Sequence, residues 1–226
     1  MTLGTKAILK SLMVMSLLAV LLFLPAGSLR FWQGWVFLAV VSSGALCPVL
    51  YLLRRDPRLL ERRMQSKEKT SEQKLFKILW IPLWVGVVAL PGLDYRFGWS
   101  RDSLGAVPLW LTLLAQALVL CGYFVVFQVL RANTFASATI QVEAGQRVIS
   151  DGPYRIVRHP MYSGIVLMVL FAPLALGSYV ALPISLLLIP VLVFRLVNEE
   201  KMLRQELAGY AEYCRRTRFR LVPVVY

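Results

Sequence analysis

Charged residues are scarce in this chain of 226 residues, where Asp, Glu, Lys and Arg together make up only 16%. Soluble proteins typically reach about a quarter. Hydrophobic residues make up 58% of the chain, more than a soluble core of this size can bury. The composition therefore predicts a polytopic, all-α membrane protein.

Metal-binding and cofactor-binding motifs are missing as well. The chain has one histidine, His159, and three cysteines that form no CxxC pair. These counts argue against a His-rich metal site, a zinc site and a disulfide framework, so no metal is expected. No glycine pair forms a GxG, which argues against a Rossmann-type dinucleotide domain.

Long stretches without charge predict about six transmembrane spans, each close to the 20 or so residues that a bilayer requires. The last uncharged run, residues 159–194, is too long for one span and must fold back, with its turn at Gly177 and Ser178. The predicted spans are 11–29, 31–53, 78–93, 107–130, 161–176 and 179–197.

The basic residues are distributed very unevenly between the two sides that these spans define. One side holds 22 Lys and Arg residues and the other holds 3. Cytoplasmic loops of membrane proteins collect positive charge, so both termini are expected in the cytoplasm. The expected location is the cytoplasmic membrane of a bacterium, or the endoplasmic reticulum of a eukaryote. The net charge of +13 is explained by this topology, and no nucleic-acid partner is expected.

The predicted cytoplasmic segments differ in how much chemistry they suggest. The basic loop 54–77 has the composition of a solvated segment beside anionic lipid headgroups, whereas the predicted outer loops are short and nearly featureless. The loop 131–159 is rich in small and polar residues and ends in RHPMYSG. Pro160 suits the first turn of a helix, which places His159 near the helix cap. Free N–H groups at such a helix start can bind a carboxylate or phosphate.

A second polar cluster follows the last predicted span, in the sequence RLVNEE. Arg195 and Glu199 are four residues apart and therefore share a helix face. Ionisable residues near membrane depth usually face a partner or a polar cavity. Because the hairpin has a single turn, it returns Glu199 to the membrane side of His159, and the two clusters are expected to converge. Beyond them, the spacing of Leu203, Leu207, Tyr210 and Cys214 predicts an amphipathic helix.

At these residues the chain resembles the isoprenylcysteine carboxyl methyltransferase family and its phospholipid methyltransferase relatives. The resemblance covers residues 133–223 and is carried by GPYRIVRHPMYSG, the apolar hairpin, RLVNEE and YAEYCRR. It implies an integral membrane methyltransferase that uses S-adenosylmethionine. It also implies two parts: four N-terminal spans in residues 1–130, and a methyltransferase core in residues 131–226 that contains the hairpin 161–197.

The resemblance further implies which residues form the site. Arg195 matches the family's arginine near a substrate carboxylate, and Glu199 is expected to act with it as a catalytic residue. Gln146 stands where the family often has histidine. The implied cofactor contacts are Gln141, Gln146, Arg147, Val148, Ile149, Tyr154, His159, Pro160, Met161, Tyr162, Glu199 and, from its chemistry, Glu200.

These residue types suit a cofactor with a sulfonium, an ammonium, a carboxylate and a ribose diol. Aromatic faces stabilise a sulfonium, and a glutamate can bind the diol or the ammonium. The expected acceptor is lipidic or prenylated, with the carboxylate of an isoprenylcysteine-like group as the first expectation. A phospholipid amine and a thiol are alternatives. More distant ones are a sterol reductase-like enzyme with a nicotinamide cofactor and a non-enzymatic transporter or scaffold.

Overall fold

The computed structural model describes residues 1–64, 71–136 and 145–223. Within these ranges the chain is helical and contains no β-strand, as predicted. Nine α-helices and one 3-10 helix, Gly152–Arg155, follow one another along the described parts of the chain. The α-helices are α1 (Leu3–Ala26), α2 (Trp32–Arg55), α3 (Pro57–Met64), α4 (Ser71–Phe97), α5 (Trp99–Ser103), α6 (Leu109–Ala132), α7 (Pro160–Ala175), α8 (Leu182–Glu206) and α9 (Tyr210–Arg216).

Five of these helices are long and apolar enough to cross a membrane: α1, α2, α4, α6 and α8. Large apolar side chains such as Leu24, Trp110 and Phe124 are more than half exposed on the outer surface, as expected of helices that face lipid. The chain is therefore an integral membrane protein. The fifth predicted span is the apolar helix α7, whose 16 residues fall short of the usual spanning length.

The hairpin of α7 and α8 turns where the sequence predicts. Gly177 adopts a φ of 74°, a left-handed conformation that glycine enters without strain. The buried side chain of Gln116 on α6 donates a hydrogen bond of 2.9 Å to the carbonyl oxygen of Ala175, at the end of α7. This bond gives a partner to one of the carbonyl groups that the end of α7 leaves without an intrahelical donor.

Helices α6 and α7 pack against each other along most of their length, and two glycines allow the backbones to touch. A Cβ atom at Gly122 would lie 2.6 Å from the carbonyl oxygen of Gly164, and one at Gly164 would lie 2.7 Å from that of Gly122. Small residues at such crossings are typical of membrane helices. This contact fixes the start of α7, which carries His159 and Tyr162, against the end of α6.

The basic loop departs from the solvated segment that its composition suggests. Its first part forms α3, in which Leu59 and Leu60 are buried against the ends of α1, α2 and α6. Arg62 and Arg63 donate hydrogen bonds of 2.7 and 2.8 Å to the carbonyl oxygens of Thr134 and Ala136. The leucines dock the helix because they are apolar on one face of it, and the arginines then fix the segment after α6.

The predicted amphipathic tail helix is also interrupted. Helix α8 continues to Glu206, and Gly209, with a φ of 82°, separates it from α9. Leu207, Tyr210 and Tyr213 are the buried residues, whereas Cys214 is only half-buried. Cys214 packs against Leu207, Tyr210 and Tyr213, so the predicted apolar face is present although Gly209 divides the helix.

Candidate active site

A cavity of about 490 Å³ opens between the start of α7, the end of α8, the end of α6 and the start of α4. Its volume lies in the usual range for small-molecule sites, about 300–1,000 Å³. The predicted site residues on its wall are Gln146, Arg147, Val148, Ile149, Tyr154, His159, Pro160, Met161, Tyr162, Arg195 and Glu199. Gln141 lies outside the described residues, and Glu200 is not part of this wall.

The two polar clusters meet at Tyr162. Its hydroxyl donates a hydrogen bond of 2.5 Å to Oε2 of Glu199 and accepts one of 3.2 Å from Nε of Arg195. Arg195 and Glu199 share one face of α8 because they are four residues apart, and Tyr162 lies in the first turn of α7. The hairpin thus brings the arginine, the tyrosine and the glutamate together at the cavity wall.

His159 occupies the N-cap position of α7 and Pro160 its first turn, as predicted, but the imidazole makes no capping hydrogen bond. Its Nε2 lies 3.4 Å from Oε1 of Glu200 and 3.4 Å from the hydroxyl of Tyr210. The imidazole is therefore held by Glu200, which is not part of the wall, and by Tyr210, which lines the cavity as His159 does.

Glu200 is the centre of a buried ion cluster beside the cavity. Its carboxylate lies 3.1 Å from Nε of Arg158 and 3.0 Å from Nε of Arg220, and its side chain is 5% exposed. The members of the cluster come from three segments: Arg158 just before α7, Glu200 on α8 and Arg220 in the tail after α9. The observed partners of Glu200 are thus protein side chains, and its role as a cofactor ligand stays a prediction from the resemblance.

The tail after α9 runs back along the start of α7. Backbone N–H groups of Arg158 and His159 donate to the carbonyl oxygens of Phe219 and Arg220, at 2.9 and 3.0 Å. The Ser163 hydroxyl donates to the carbonyl oxygen of Leu221 at 2.6 Å. These bonds hold the RHPMYSG segment against the tail.

Three tyrosines line the cavity where the 3-10 helix and α9 border it: the half-buried Tyr154 and the buried Tyr210 and Tyr213. The Tyr154 hydroxyl accepts a hydrogen bond of 2.8 Å from Nδ2 of Asn133, and the Tyr213 hydroxyl donates one of 2.8 Å to the carbonyl oxygen of Tyr154. Burial raises the pKa of Tyr154 to about 12, against the opposing effect of the Asn133 hydrogen bond. It also raises the pKa of Tyr210 and of Tyr213 well above their usual range. All three phenols stay neutral near pH 7 and present aromatic faces rather than charge.

The charged side chains on the wall are mostly basic. Among the described residues that line the cavity, the only carboxylate is that of Glu199. Burial lowers the pKa of Arg63 from its usual value, which still leaves the guanidinium charged. The cations on the wall are Arg63, Lys77, Arg147, Arg158 and Arg195. The arrangement favours a ligand set that contains at least one anionic group.

Several residues that line the cavity come from the N-terminal half of the chain, in which the sequence predicts no site residues. Arg63 comes from α3, and Phe76, Lys77 and Trp80 come from the first part of α4. Two signals were present: Phe76 and Trp80 have the four-residue spacing of one helix face, and Leu59-Leu60 next to Arg62-Arg63 has the pattern of a short amphipathic helix. Neither signal was interpreted as part of a site, because the surrounding spans have the composition of ordinary apolar helices.

A second, smaller cavity of about 200 Å³ lies deeper in the bundle, and apolar side chains dominate its wall. Trp80 and Ile165 line both cavities, so the two cavities are neighbours. We call this smaller cavity the apolar chamber. Among its other wall residues are Val41 of α2, Val87 of α4 and Val119 of α6.

Comparisons with known proteins agree with this architecture. The sequence profile of the phospholipid methyltransferase family matches residues 110–208. A segment of 91 residues is 33% identical to the delta(14)-sterol reductase of Mus musculus, over 39% of this chain. The match spans only 22% of that reductase. The stretch from α6 through α8, with the RHPMYSG and RLVNEE segments at the cavity, is thus similar to the phospholipid methyltransferase family.

Proposed function

We propose that this protein transfers a methyl group from S-adenosylmethionine to a carboxylate on a membrane-partitioned acceptor, first of all an isoprenylcysteine-like group. The observation that carries the proposal is the Arg195–Tyr162–Glu199 chain on the wall of the 490 Å³ cavity. It combines a guanidinium suited to a carboxylate with a glutamate and aromatic faces suited to the cofactor.

The wall residues fit the chemical groups of S-adenosylmethionine. Tyr154 and Tyr162 offer neutral aromatic faces for the sulfonium. The start of α7 offers free N–H groups for the carboxylate, and Glu199 offers acceptors for the ribose diol or the ammonium. When bound, the cofactor supplies an electrophilic methyl group for direct displacement. The residues of the chain bind, orient and exclude water, which is what such a displacement needs.

A carboxylate acceptor agrees best with the charges and the hydrogen bonds of the wall. Arg195 can bind a carboxylate through two parallel N–H bonds, and the basic wall favours an anion. A carboxylate is also nucleophilic without losing a proton, so no general base is required. Glu199 already accepts a hydrogen bond from Tyr162, and the Nε2 of His159 already faces Glu200 and Tyr210.

The apolar chamber supports an acceptor with a hydrocarbon part. It adjoins the cavity through Trp80 and Ile165, in a chain whose helices cross a membrane. An apolar cavity of about 150 Å³ stays dry and binds a molecule the size of benzene. A chamber of 200 Å³ can therefore accept part of a lipid tail while the polar headgroup stays at Arg195. The uneven distribution of basic residues supports a cytoplasmic position for this site and for both termini.

Two other activities have a specific observation in their favour. Methylation of a phospholipid amine is supported by the matched family, which is described as phospholipid methyltransferase. That acceptor would have to lose a proton first, with Glu199 or His159 as the base; a thiol acceptor has the same requirement. A reductase activity with a nicotinamide cofactor is supported by the partial similarity to the sterol reductase. The basic residues of the cavity wall would also suit the phosphates of that cofactor.

Calorimetric binding in detergent tests the cofactor. Purified protein should bind S-adenosylmethionine, and Glu199→Gln should weaken the affinity by about tenfold or more, because charge-assisted hydrogen bonds contribute about 1.5–3 kcal/mol. Glu206→Gln is the matched control, because Glu206 is exposed on the same helix. Equal affinity in wild type and Glu199→Gln would remove Glu199 from the site. Binding of NADPH without binding of S-adenosylmethionine would replace the methyltransferase proposal by the reductase.

Turnover tests the acceptor. With N-acetyl-S-farnesylcysteine as the probe, Arg195→Ala should lose turnover by about 100-fold or more, the scale measured when one transition-state donor is removed. It should still bind S-adenosylmethionine. Arg204→Ala on the same helix, where Arg204 is exposed, should keep wild-type rates. Full turnover in Arg195→Ala would reduce the arginine to an interfacial anchor, and transfer to phosphatidylethanolamine alone would favour the amine.

A further inference from the structure

The guanidinium of Arg195 lies over the face of an aromatic ring from the N-terminal half of the chain. Its Cζ is 4.5 Å from the centroid of the Phe76 ring. Phe76 in turn stacks on Trp80, with the centroids 5.3 Å apart and the planes 25° from parallel. Phe76, Trp80 and Arg195 all line the 490 Å³ cavity.

Two contacts of different kinds therefore act on the guanidinium. Tyr162 binds its edge, through the 3.2 Å hydrogen bond from Nε, and Phe76 covers one of its faces. Arginine side chains carry about 2 kcal/mol of rotamer entropy, so each contact that restricts the guanidinium favours one of its orientations. A cation over a ring adds about 0.5–2 kcal/mol and also selects the plane of the guanidinium.

Bidentate binding of a carboxylate depends on that plane, because the two N–H bonds must be parallel to the two C–O directions. A small rotation of the guanidinium breaks one of the two hydrogen bonds and displaces the acceptor oxygen from the line of attack. Such a misalignment lowers the rate of a displacement reaction strongly. Phe76 lies in α4, whereas the family match begins at residue 110. The residue that fixes the plane thus comes from outside the matched region.

We propose that Phe76 is a positioning residue: its ring, supported by Trp80, orients the Arg195 guanidinium so that it presents a carboxylate acceptor to the methyl donor. This inference rests on the proposed function for its reaction and on the observed Phe76–Arg195 contact for its geometry. Phe76 has no reacting atom, so its effect should appear in turnover rather than in cofactor affinity.

Replacement of Phe76 by phenylalanines with one, two and three ring fluorines tests the proposal. Fluorination weakens the negative face of the ring while the shape stays nearly constant. Turnover of N-acetyl-S-farnesylcysteine should fall stepwise, to about one tenth at the third fluorine, mainly in kcat, while the Kd for S-adenosylmethionine stays constant. Phe76→Leu should match the lowest member, and Phe76→Trp should recover most of the rate. The control is Leu75→Ala, since Leu75 is exposed on the same turn.

If the protein methylates the probe and the turnover rate does not change with fluorination of Phe76, the proposal is wrong. If the wild type binds S-adenosylmethionine but does not methylate the probe, the acceptor is wrong, and a thermal double-mutant cycle decides on Phe76 separately. The losses in Tm of Phe76→Leu and Arg195→Met should then be clearly less than additive in the double variant. Additive losses would mean that the ring does not act on the guanidinium and would overturn the inference.

Discussion

The two ends of the helix bundle both contain a carboxylate bound to hydroxyl groups, but they use it differently. At one end, Glu199 and Tyr162 face the 490 Å³ cavity. At the other, Asp94 at the end of α4 accepts hydrogen bonds from the backbone N–H of Ser100 at 2.7 Å, from the Ser100 hydroxyl, and from the Ser178 hydroxyl at 2.5 Å. Asp94, Ser100 and Ser178 are at most 3% exposed.

The Asp94 cluster closes on itself. The Ser100 oxygen also accepts from the backbone N–H groups of Tyr179 and Val180, so the cluster ties α4 and α5 to the turn of the α7–α8 hairpin. Polar groups that satisfy one another within the protein stabilise a particular packing. Polar groups that line a cavity are positioned for a ligand. Burial and partners distinguish the two ends, although both contain the same kinds of residue.

The Glu200 cluster combines features of both ends, because it is closed like the Asp94 cluster but lies directly behind the cavity wall. Glu200→Ala should have the largest effect on stability, about 3–5 kcal/mol, since it leaves the buried Arg158 without its carboxylate. Chemical unfolding in mixed micelles measures the loss, with Glu206→Ala as the control. A loss below about 0.5 kcal/mol would show that Arg158 and Arg220 do not depend on Glu200.

The hairpin, its turn at Gly177 and the helix start at Pro160 could be predicted from the sequence. Uncharged length, glycine and proline act locally, through chain geometry that needs no partner. The convergence of the His159 and Glu199 ends followed from the same hairpin, because one turn returns the chain to the same side.

The contributions of Phe76, Arg63 and Asp94 could not be predicted in this way. The spacing of Phe76 and Trp80 and the pattern around Arg63 indicate helix faces. Which faces meet depends on the tertiary packing of helices that are similar in composition, and nothing local in the sequence specifies it. The outer loops looked featureless for the same reason: the partner of Asp94, Ser178, is 84 residues away. Gly209 weakened the prediction of a continuous tail helix, but Leu203, Leu207 and Tyr210 keep helical spacing across it, so the spacing did not indicate the break.

The Asp94 cluster should affect stability without affecting the ligand site. Asp94→Ala removes the acceptor of the Ser100 N–H and of the Ser178 hydroxyl, at a cost of about 1–3 kcal/mol for each group left without a partner. The expected result is a lower Tm in detergent with an unchanged Kd for S-adenosylmethionine in the folded protein. Asp102→Ala is the control at the same end, because its side chain is 66% exposed. A variant with normal Tm but weakened cofactor binding would mean that the two ends are coupled.

The apolar chamber between the two ends should set the length of the acceptor tail, and this is the smallest of the three effects. Val119 is 1% exposed on α6 and lines the chamber. Val119→Phe adds volume there, so a farnesyl acceptor should lose about tenfold in kcat/KM through its KM, the equivalent of one or two buried CH₂ groups. An acceptor with a five-carbon prenyl group should be unaffected, because its tail ends before the chamber. Leu120→Phe is the control, since Leu120 is 46% exposed on the outer surface of α6. Equal losses of kcat/KM for both tail lengths would mean that the hydrocarbon tail binds elsewhere and that the apolar chamber is only a packing defect.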